Sequence, residues 1–323
     1  MVLPARQDRN VVRMINDAFI LAAALFMVIK GATLATRYAA LLAEGYHLSK
    51  YTVGFIVVAV ISILPETFIA INASREGIPS LGLGMLFGSN VADLTLVLAI
   101  IIFVARRGLR IEAGILHNRK AYPLLLLLPL VLGLDGHFSR PEGLALIIAG
   151  GQFYYLALKG EIDGPMVRSD GNGRLRTLLM LLVGMAILLV GSHFTVTSAA
   201  ALADALGVSP ILIGMFVVGL GTTMPELFFA LKAIRKKEDD SLVVGDILGT
   251  VLADATIVIG ILTLVQPFAF PPRIIHVTGI FMVVASLLLF HLMRTGRRIS
   301  RREAWILLSF WLVFMAAELW VNA

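Results

Sequence analysis

The sequence predicts an all-α, polytopic membrane protein of about ten transmembrane helices arranged as two inverted five-helix repeats, and three observations predict it. Hydrophobic residues make up 59% and charged residues 15% of the 323 positions, against roughly 25% charged in ordinary soluble domains. Apolar stretches long enough for a hydrocarbon core of about 30 Å, which takes about 20 helical residues, recur along the whole length. Two of them also say the same thing twice. VVAVISILPETFIAI carries Pro65-Glu66 and VVGLGTTMPELFFAL carries Pro225-Glu226, and the segments that follow end in Asp93 and Asp254, 160 to 161 positions apart.

The first helix is expected over Asp17 to Ala43; this run is too long for a signal-peptide core, and the tail MVLPARQDRNVVRMIND lacks a small-residue cleavage site, so it reads as retained. The turn Tyr46-His47-Leu48-Ser49 leads into the second, Lys50 to Ala73, which bears Pro65-Glu66. The third, Ser80 to Val104, contains Gly88-Ser89-Asn90-Val91-Ala92-Asp93. The fourth, Ala121 to Leu134, is short, and nine crossings remain an alternative if it only dips into the bilayer. Pro141 to Ala157 is the fifth. The polar stretch Lys159 to Arg176 is the natural junction, dividing the chain into a first repeat with its tail (1–158), a cytoplasmic linker (159–176) and a second repeat (177–323).

The sixth helix, Thr177 to Ala203, places Gly191 where the first has Gly31, and the turn Leu206-Gly207-Val208-Ser209 repeats the one at Tyr46. The seventh, Ser209 to Leu231, bears Pro225-Glu226, and the eighth, Ser241 to Leu264, contains Gly249-Thr250-Val251-Leu252-Ala253-Asp254. Ile274 to Met293 and Ala304 to Val321 complete the ten. Five is odd, so the second copy enters the membrane from the opposite side. Inverted repeats are a signature of many secondary transporters, whose substrate site lies near the midplane between the copies.

Orientation follows from the excess of Lys and Arg in cytoplasmic loops. Lys50, the Arg106 to Lys120 loop, the Lys159 to Arg176 linker, the Lys232 to Lys237 loop and the Arg294 to Arg302 loop are rich in basic residues; Arg75, Arg140, Arg273 and three tail arginines lie opposite. Both termini are therefore expected outside, in what is expected to be the cell (inner) membrane. The net charge of +6 sits in loops and tail and gives no nucleic-acid signal. With no cysteine, disulfides and thiolate metal sites are excluded.

Placing Asp or Glu at a helix centre costs about 2.5 to 3.5 kcal/mol on insertion scales, so such groups normally face a partner or a watery cavity. Glu66, Asp93, Glu226 and Asp254 are four of them. Each preceding proline lacks an N–H and obstructs the carbonyl four residues back, so each helix is expected to break there and free a carbonyl, at Val60 or Ile61 and at Leu220 or Gly221. Carboxylate, carbonyl and hydroxyl ligands suit a hard cation such as Ca²⁺, and the absence of His or thiolate beside the motifs argues against zinc or copper. The hydroxyls of Ser62, Ser89, Thr222, Thr223 and Thr250 lie close enough in sequence to complete a cage.

Gly221-Thr222-Thr223-Met224-Pro225-Glu226 resembles the G-T-S-L-P-E motif, and Gly88-Ser89-Asn90-Val91-Ala92-Asp93 the G-S-N-x-x-N/D motif, of the sodium/calcium exchanger family of cation/calcium antiporters. The resemblance covers nearly the whole chain. It implies that Glu66 and Glu226 coordinate Ca²⁺, that Asp93, Asp254 and the nearby hydroxyls form sodium sites, and that the first and sixth helices slide against the other eight. The departures are Ile61-Ser62-Ile63 where the family has Gly-Thr-Ser, Asp93 for a common Asn, a second repeat without the Asn found at Asn90, and Met85 and Asp246 in place of a family Asn. They bear on the coupling ion, with proton binding by Asp93 or Asp254 as the alternative to sodium.

The expected activity is thus antiport of Ca²⁺ or a related cation against Na⁺ or H⁺ by alternating access. The chain is not read as an enzyme, no cofactor is implied, and the partners are inorganic cations and the lipid bilayer. No G-x-x-x-x-G-K-[ST] nucleotide loop occurs. An intramembrane aspartyl protease would leave the Pro-Glu pair unexplained, and an organic-solute permease needs no acidic quartet. Lys30, near the centre of the first helix, is a hypothetical internal counter-ion to the carboxylates. Arg37 is expected to snorkel, His193 to be a packing residue, Glu318 to be interfacial, and Arg235 to Asp240 to form a solvated loop.

Overall fold

The computed structural model describes residues 4–44, 63–111, 121–158, 174–235, 240–294 and 298–322. It is a helical bundle, and among the described residues seven helical stretches are long and apolar enough to cross a membrane, Pro210–Lys232 being counted as one. Helix α1 (Pro4–Glu44) is followed by α2 (Leu64–Arg75), the described half of the second crossing. Helix α3 (Pro79–Ala105) contains a π turn at Asp93–Val97. Strand β1 (Leu109–Arg110), α4 (Ala121–Leu132), β2 (His137–Phe138) and α5 (Arg140–Leu158) complete the first repeat. Helix α4 is short and holds Pro129 inside it.

The second repeat opens with α6 (Arg174–Leu206). Its seventh crossing is broken: α7 runs through Pro210–Ile213, a π turn at Gly214–Val218 and Gly219–Thr222, and α8 restarts over Met224–Arg235. Helix α9 runs from Asp240–Ala253 through a π turn at Asp254–Val258 into Ile259–Val265. Strand β3 (Phe268–Ala269), α10 (Ile275–Arg294, opening in a π turn), β4 (Arg298–Ile299) and α11 (Arg301–Asn322) close the chain.

The duplication is visible in contacts that the helix count alone does not contain. The longest helices, α1 and α6, pack along each other through small residues. A methyl group on Gly31 would stand 2.6 Å from the Leu188 nitrogen and 2.9 Å from the Gly184 oxygen, and one on Gly191 would stand 2.9 Å from the Val28 nitrogen and 3.1 Å from the Ala24 oxygen. Every residue in the second contact lies 160 positions from its counterpart in the first. Backbone approach this close needs glycine, the usual device of membrane helix pairs.

Two very short sheets tie the repeats at opposite ends of α4. Strand β1 pairs antiparallel with β4, and β2 with β3. Since β3 is the counterpart of β1 and β4 that of β2, each sheet is the image of the other. Beside them, Ser139 and Ser300 begin α5 and α11 with matching caps. The Ser139 N–H donates to Glu142 Oε2 at 2.7 Å and the Ser300 N–H to Glu303 Oε2 at 2.6 Å; the Glu303 N–H also reaches back to Ser300 Oγ at 3.3 Å, the reciprocal arrangement of a capping box, while the Ser139 hydroxyl donates to Glu142 Oε2 at 2.6 Å.

Three expectations are corrected. Lys30 is exposed on α1, its Nζ 5.3 Å from the centre of the Phe26 ring, whereas Gly31 faces α6; one residue of helix, about 100° of turn, carries the ammonium away from the acids. Glu318 is buried, only 2% exposed, and accepts hydrogen bonds from Thr278 Oγ1 at 2.5 Å and Asn322 Nδ2 at 3.0 Å, because α11 turns that face onto α10. Asp240 belongs to no solvated loop: both Arg107 guanidinium nitrogens donate to it, at 2.6 and 2.7 Å, and the Arg110 N–H donates at 2.9 Å. Residues 236–239 of that run lie outside the described residues. His193 is exposed on α6, edge-on to Phe194 and 3.9 Å from Glu76 Oε1.

Candidate cation site

The proline-bearing helices position the two glutamates. Pro225 has no N–H to give the Gly221 carbonyl, and α7 ends at Thr222 with α8 beginning at Met224. Thr223 bridges the break: its N–H bonds the Gly219 carbonyl at 3.1 Å and its own carbonyl accepts from Leu227 N–H at 3.1 Å. In the first repeat Ile63 holds the same place, its carbonyl accepting both the N–H and the hydroxyl of Thr67, at 2.9 and 2.7 Å. Glu66 and Glu226 consequently stand in the first turns of α2 and α8, where the partial positive charge of a helix start favours a carboxylate. Both are buried, 2% and 5% exposed. The freed carbonyls expected at Val60 or Ile61, and the Ser62 hydroxyl, lie outside the described residues.

The aspartates are set by a different device. Asp93 and Asp254 each open a π turn, and in each turn the third residue is a threonine: Thr95 Oγ1 donates to the Val91 carbonyl at 2.5 Å and Thr256 Oγ1 to the Leu252 carbonyl at 2.6 Å. A π turn carries one extra residue and disturbs the regular ladder of helical hydrogen bonds. The threonine hydroxyl supplies a carbonyl there with a donor, the same bond that Thr195 and Thr263 make to Gly191 and Ile259 in regular helix.

Four acids and an amide then meet the interior with oxygens to spare. Glu66 Oε2, Asp93 Oδ1, Glu226 Oε2, Asp254 Oδ1 and Asn90 Oδ1 are buried and have no hydrogen-bond partner among the described residues. Buried polar atoms are ordinarily paired, so these five form an unusual concentration of acceptor capacity. Glu66 lies within electrostatic reach of Asp93, Glu226 and Asp254, and Asp93 within reach of Glu226 and Asp254. Thr222 of the second repeat lies close to Glu66 of the first. Among the described residues no three of these acids converge tightly enough to form a ready cage for a metal ion.

The hydroxyls suit cation ligation by the direction of their protons. Ser89 Oγ donates to the Leu86 carbonyl at 3.1 Å, Thr222 Oγ1 to the Gly219 carbonyl at 3.1 Å and Thr223 Oγ1 to the same carbonyl at 2.8 Å. With the proton directed at the backbone, the oxygen lone pairs are what such a side chain offers elsewhere. Thr250 is buried on α9, four residues before Asp254.

Several neighbours of the site are not among the candidate ligands read from the sequence. Asp246 is half-buried on α9 and lies within electrostatic reach of Asp93 and Glu226. Tyr122 from α4 and Tyr154 from α5 donate to the consecutive carbonyls of Leu248 and Gly249, at 2.8 and 2.5 Å. The second repeat has Val283 and Met315 at the corresponding positions, so no pattern of duplication marks the tyrosines. Thr95 and Thr256 do carry a signal in the sequence, the shared Asp-x-Thr.

The profile of the sodium/calcium exchanger protein family matches residues 17–158 and 176–320. The putative antiporter CaxA of Alkalimonas amylolytica is 29% identical over 285 residues, which cover 83% of this chain and 87% of that protein. Among solved structures, an H⁺/Ca²⁺ exchanger CAX superposes with a TM-score of 0.77 at 18% identity, over 94% of this chain and 82% of the other. The sodium/calcium exchanger from Methanococcus jannaschii superposes with a TM-score of 0.64 at 24% identity, over 94% and 98%. At these identities the two superpositions establish the fold.

Proposed function

The chain belongs to the sodium/calcium exchanger protein family, and from that premise we propose that it is a secondary antiporter moving Ca²⁺, or a closely related divalent cation, against Na⁺ or H⁺ by alternating access. It is a transporter and an integral membrane protein rather than an enzyme. The observation that carries the proposal is the set of buried carboxylate oxygens without partners, drawn from both repeats, with Glu66 and Glu226 directly following Pro65 and Pro225.

In this reading Glu66 and Glu226 ligate the divalent ion, with Thr222 and Thr223 supplying neutral oxygens. Asp93, Asp254, Ser62, Ser89 and Thr250 bind the coupling ion or the proton that takes its place. Two ions that need the same carboxylates cannot both be held, and this competition makes the cycle an exchange. The relatives named above are described, in one case, as an H⁺/Ca²⁺ exchanger and, in another, as a sodium/calcium exchanger. Helices α1 and α6, joined through Gly31 and Gly191, would move against the other eight crossings.

A second reading, proton coupling with no sodium dependence, is favoured by one feature of the first repeat. Ile63, 5% exposed, places an alkyl side chain where the second repeat has the hydroxyl of Thr223, while Asp93 adds a group that can bind a proton. Sealed vesicles loaded with calcium, given a sodium gradient and a pH gradient separately, test both. Calcium flux driven by either gradient and lost in Glu66→Gln and Glu226→Gln supports antiport; flux retained in both variants refutes the site. Which gradient drives it decides between the two coupling ions.

A further inference from the structure

Asp246 is an acid that the duplicated motifs do not explain. On α9 it lies four residues before Thr250 and eight before Asp254, so the three side chains share one helix face, about 6 Å of rise apart at each step. Its neighbours Val243, Val244, Ile247 and Leu248 are buried, at 1%, 0%, 1% and 7% exposure, yet Asp246 itself is partly open. The counterpart position in the first repeat carries Met85, fully buried beneath α7, where a methyl added to Gly214 would meet the Met85 nitrogen at 3.2 Å and one added to Gly219 its oxygen at 3.2 Å. The ladder therefore reads acid, hydroxyl, acid on α9 and thioether, hydroxyl, acid on α3.

Two further observations connect Asp246 to a ligand. Glu226 Oε2 and Asp93 Oδ1, on residues 5% and 2% exposed, have no hydrogen-bond partner among the described residues, and both acids lie within electrostatic reach of Asp246. The end of α9 nearest Asp246 starts at Asp240, which is clamped to Arg107 and to β1, so Asp246 lies between the β1–β4 face and the glutamates. A partly exposed carboxylate within electrostatic reach of two buried and unpartnered carboxylates is placed to pass a cation on to them.

Building on the antiport reading, we propose that Asp246 is an entrance ligand for the transported divalent cation, engaging it between the β1–β4 face and the Glu66/Glu226 pair. Met85 offers no such ligand in the first repeat, so the two faces of the exchanger differ in apparent affinity for the divalent ion. The site takes a hard cation of the Ca²⁺ class, since its donors are all oxygen.

The chain has no cysteine, so Asp246→Cys creates a single thiol that reports on the position. In vesicles of the two orientations, a membrane-impermeant methanethiosulfonate is expected to label it from the β1–β4 face, more slowly when Ca²⁺ is present. A carboxylate-bearing adduct should bring the half-saturating Ca²⁺ on that face back towards wild type and an ammonium-bearing adduct should not. Asp246→Asn should raise the half-saturating Ca²⁺ on the β1–β4 face about tenfold, the scale on which ligand charge tunes such sites, with the opposite face and the maximal rate unchanged and with Asp246→Glu near wild type. Labelling from the other face, labelling indifferent to Ca²⁺, or an equal loss on both faces overturns the proposal. If wild-type vesicles move no calcium, the antiport reading fails by itself. Equilibrium dialysis of radioactive calcium against purified wild type and Asp246→Asn then decides this inference: weaker binding by the variant sustains it, and equal binding or none overturns it.

Discussion

Asp93 and Asp254 stand as the first residues of two π turns, 161 positions apart, each with a threonine two residues on that hydrogen-bonds a carbonyl of the preceding turn. The pairing joins a charge and a backbone distortion in one short motif. An acid in a regular helix is oriented by its rotamer alone; here the local winding also takes part, so the aspartate and the threonine behave as a unit.

Replacing Thr95 or Thr256 with valine keeps the shape and deletes the hydroxyl. Each variant is expected to lose about 1 kcal/mol, the net worth of one buried hydrogen bond, measured as a lower unfolding temperature in detergent. Calcium flux should fall in both, since Asp93 or Asp254 is re-aimed. Unchanged unfolding and unchanged flux in both variants would show that the threonines do not support the turns.

Larger residues at Gly31 or Gly191 should be felt at the opposite helix. The Gly31 Cβ would approach Leu188 nitrogen to 2.6 Å, so Gly31→Val forces α1 and α6 apart at a cost of about 1 to 3 kcal/mol, the range for overpacking. Transport is expected to drop strongly in either variant, and the double variant should be little worse than the single ones because the contact is already lost. Additive losses in a double-mutant cycle would speak against one shared seam.

The Arg107–Asp240 pair predicts a dependence on pH. Burial acts to raise the Asp240 carboxyl, but hydrogen bonds from Arg107 and the Arg110 N–H, with the arginine charges, hold it below its ordinary value of 3.8. A carboxylate with a depressed value contributes stability that is present above the unfolded value and is lost as pH falls through the folded one. Asp240→Asn should therefore lower the unfolding temperature near neutral pH, by a cost of about 1 kcal/mol because Arg107 is substantially exposed. The gap from wild type should close below roughly pH 4; a gap that persists in acid would assign the effect to packing.

Tyr154→Phe removes the donor to the Gly249 carbonyl beside Thr250. A loss of about 1 kcal/mol is expected, together with a higher half-saturating concentration of the coupling ion. Tyr122→Phe, acting one carbonyl earlier, should do the same more weakly in transport, since Leu248 is further from Thr250 and Asp254 along α9. Identical transport in wild type and both variants would leave the tyrosines with packing alone.

Much of this architecture was legible from residues. The ten apolar runs, the inverted repeat and the four motif acids follow from chain length, polarity and a duplication that composition cannot imitate. Other features were hidden for physical reasons. Glu318 looks interfacial in one dimension, and its burial depends on the face that α11 turns to Thr278. Lys30 lies beside Gly31 in sequence but about 100° away around the helix. Asp240 ends a charged run, and only the return of the chain through β1 brings Arg107 to it. Asp246 was visible as a departure from a pattern, without the exposure that separates it from Met85.

The two miniature sheets carry a consequence for ancestry. Strand β1 belongs to the connection after the third helix of one repeat and pairs with β4, from the connection after the fourth helix of the other; β3 and β2 are the same contact seen from the opposite face. A solitary five-helix unit would own one strand of each kind and no mate for either. Two copies inserted in opposite orientations would satisfy both, using nothing but themselves. The sheets thus join the two repeats by the same contact that two oppositely inserted five-helix units would make with each other.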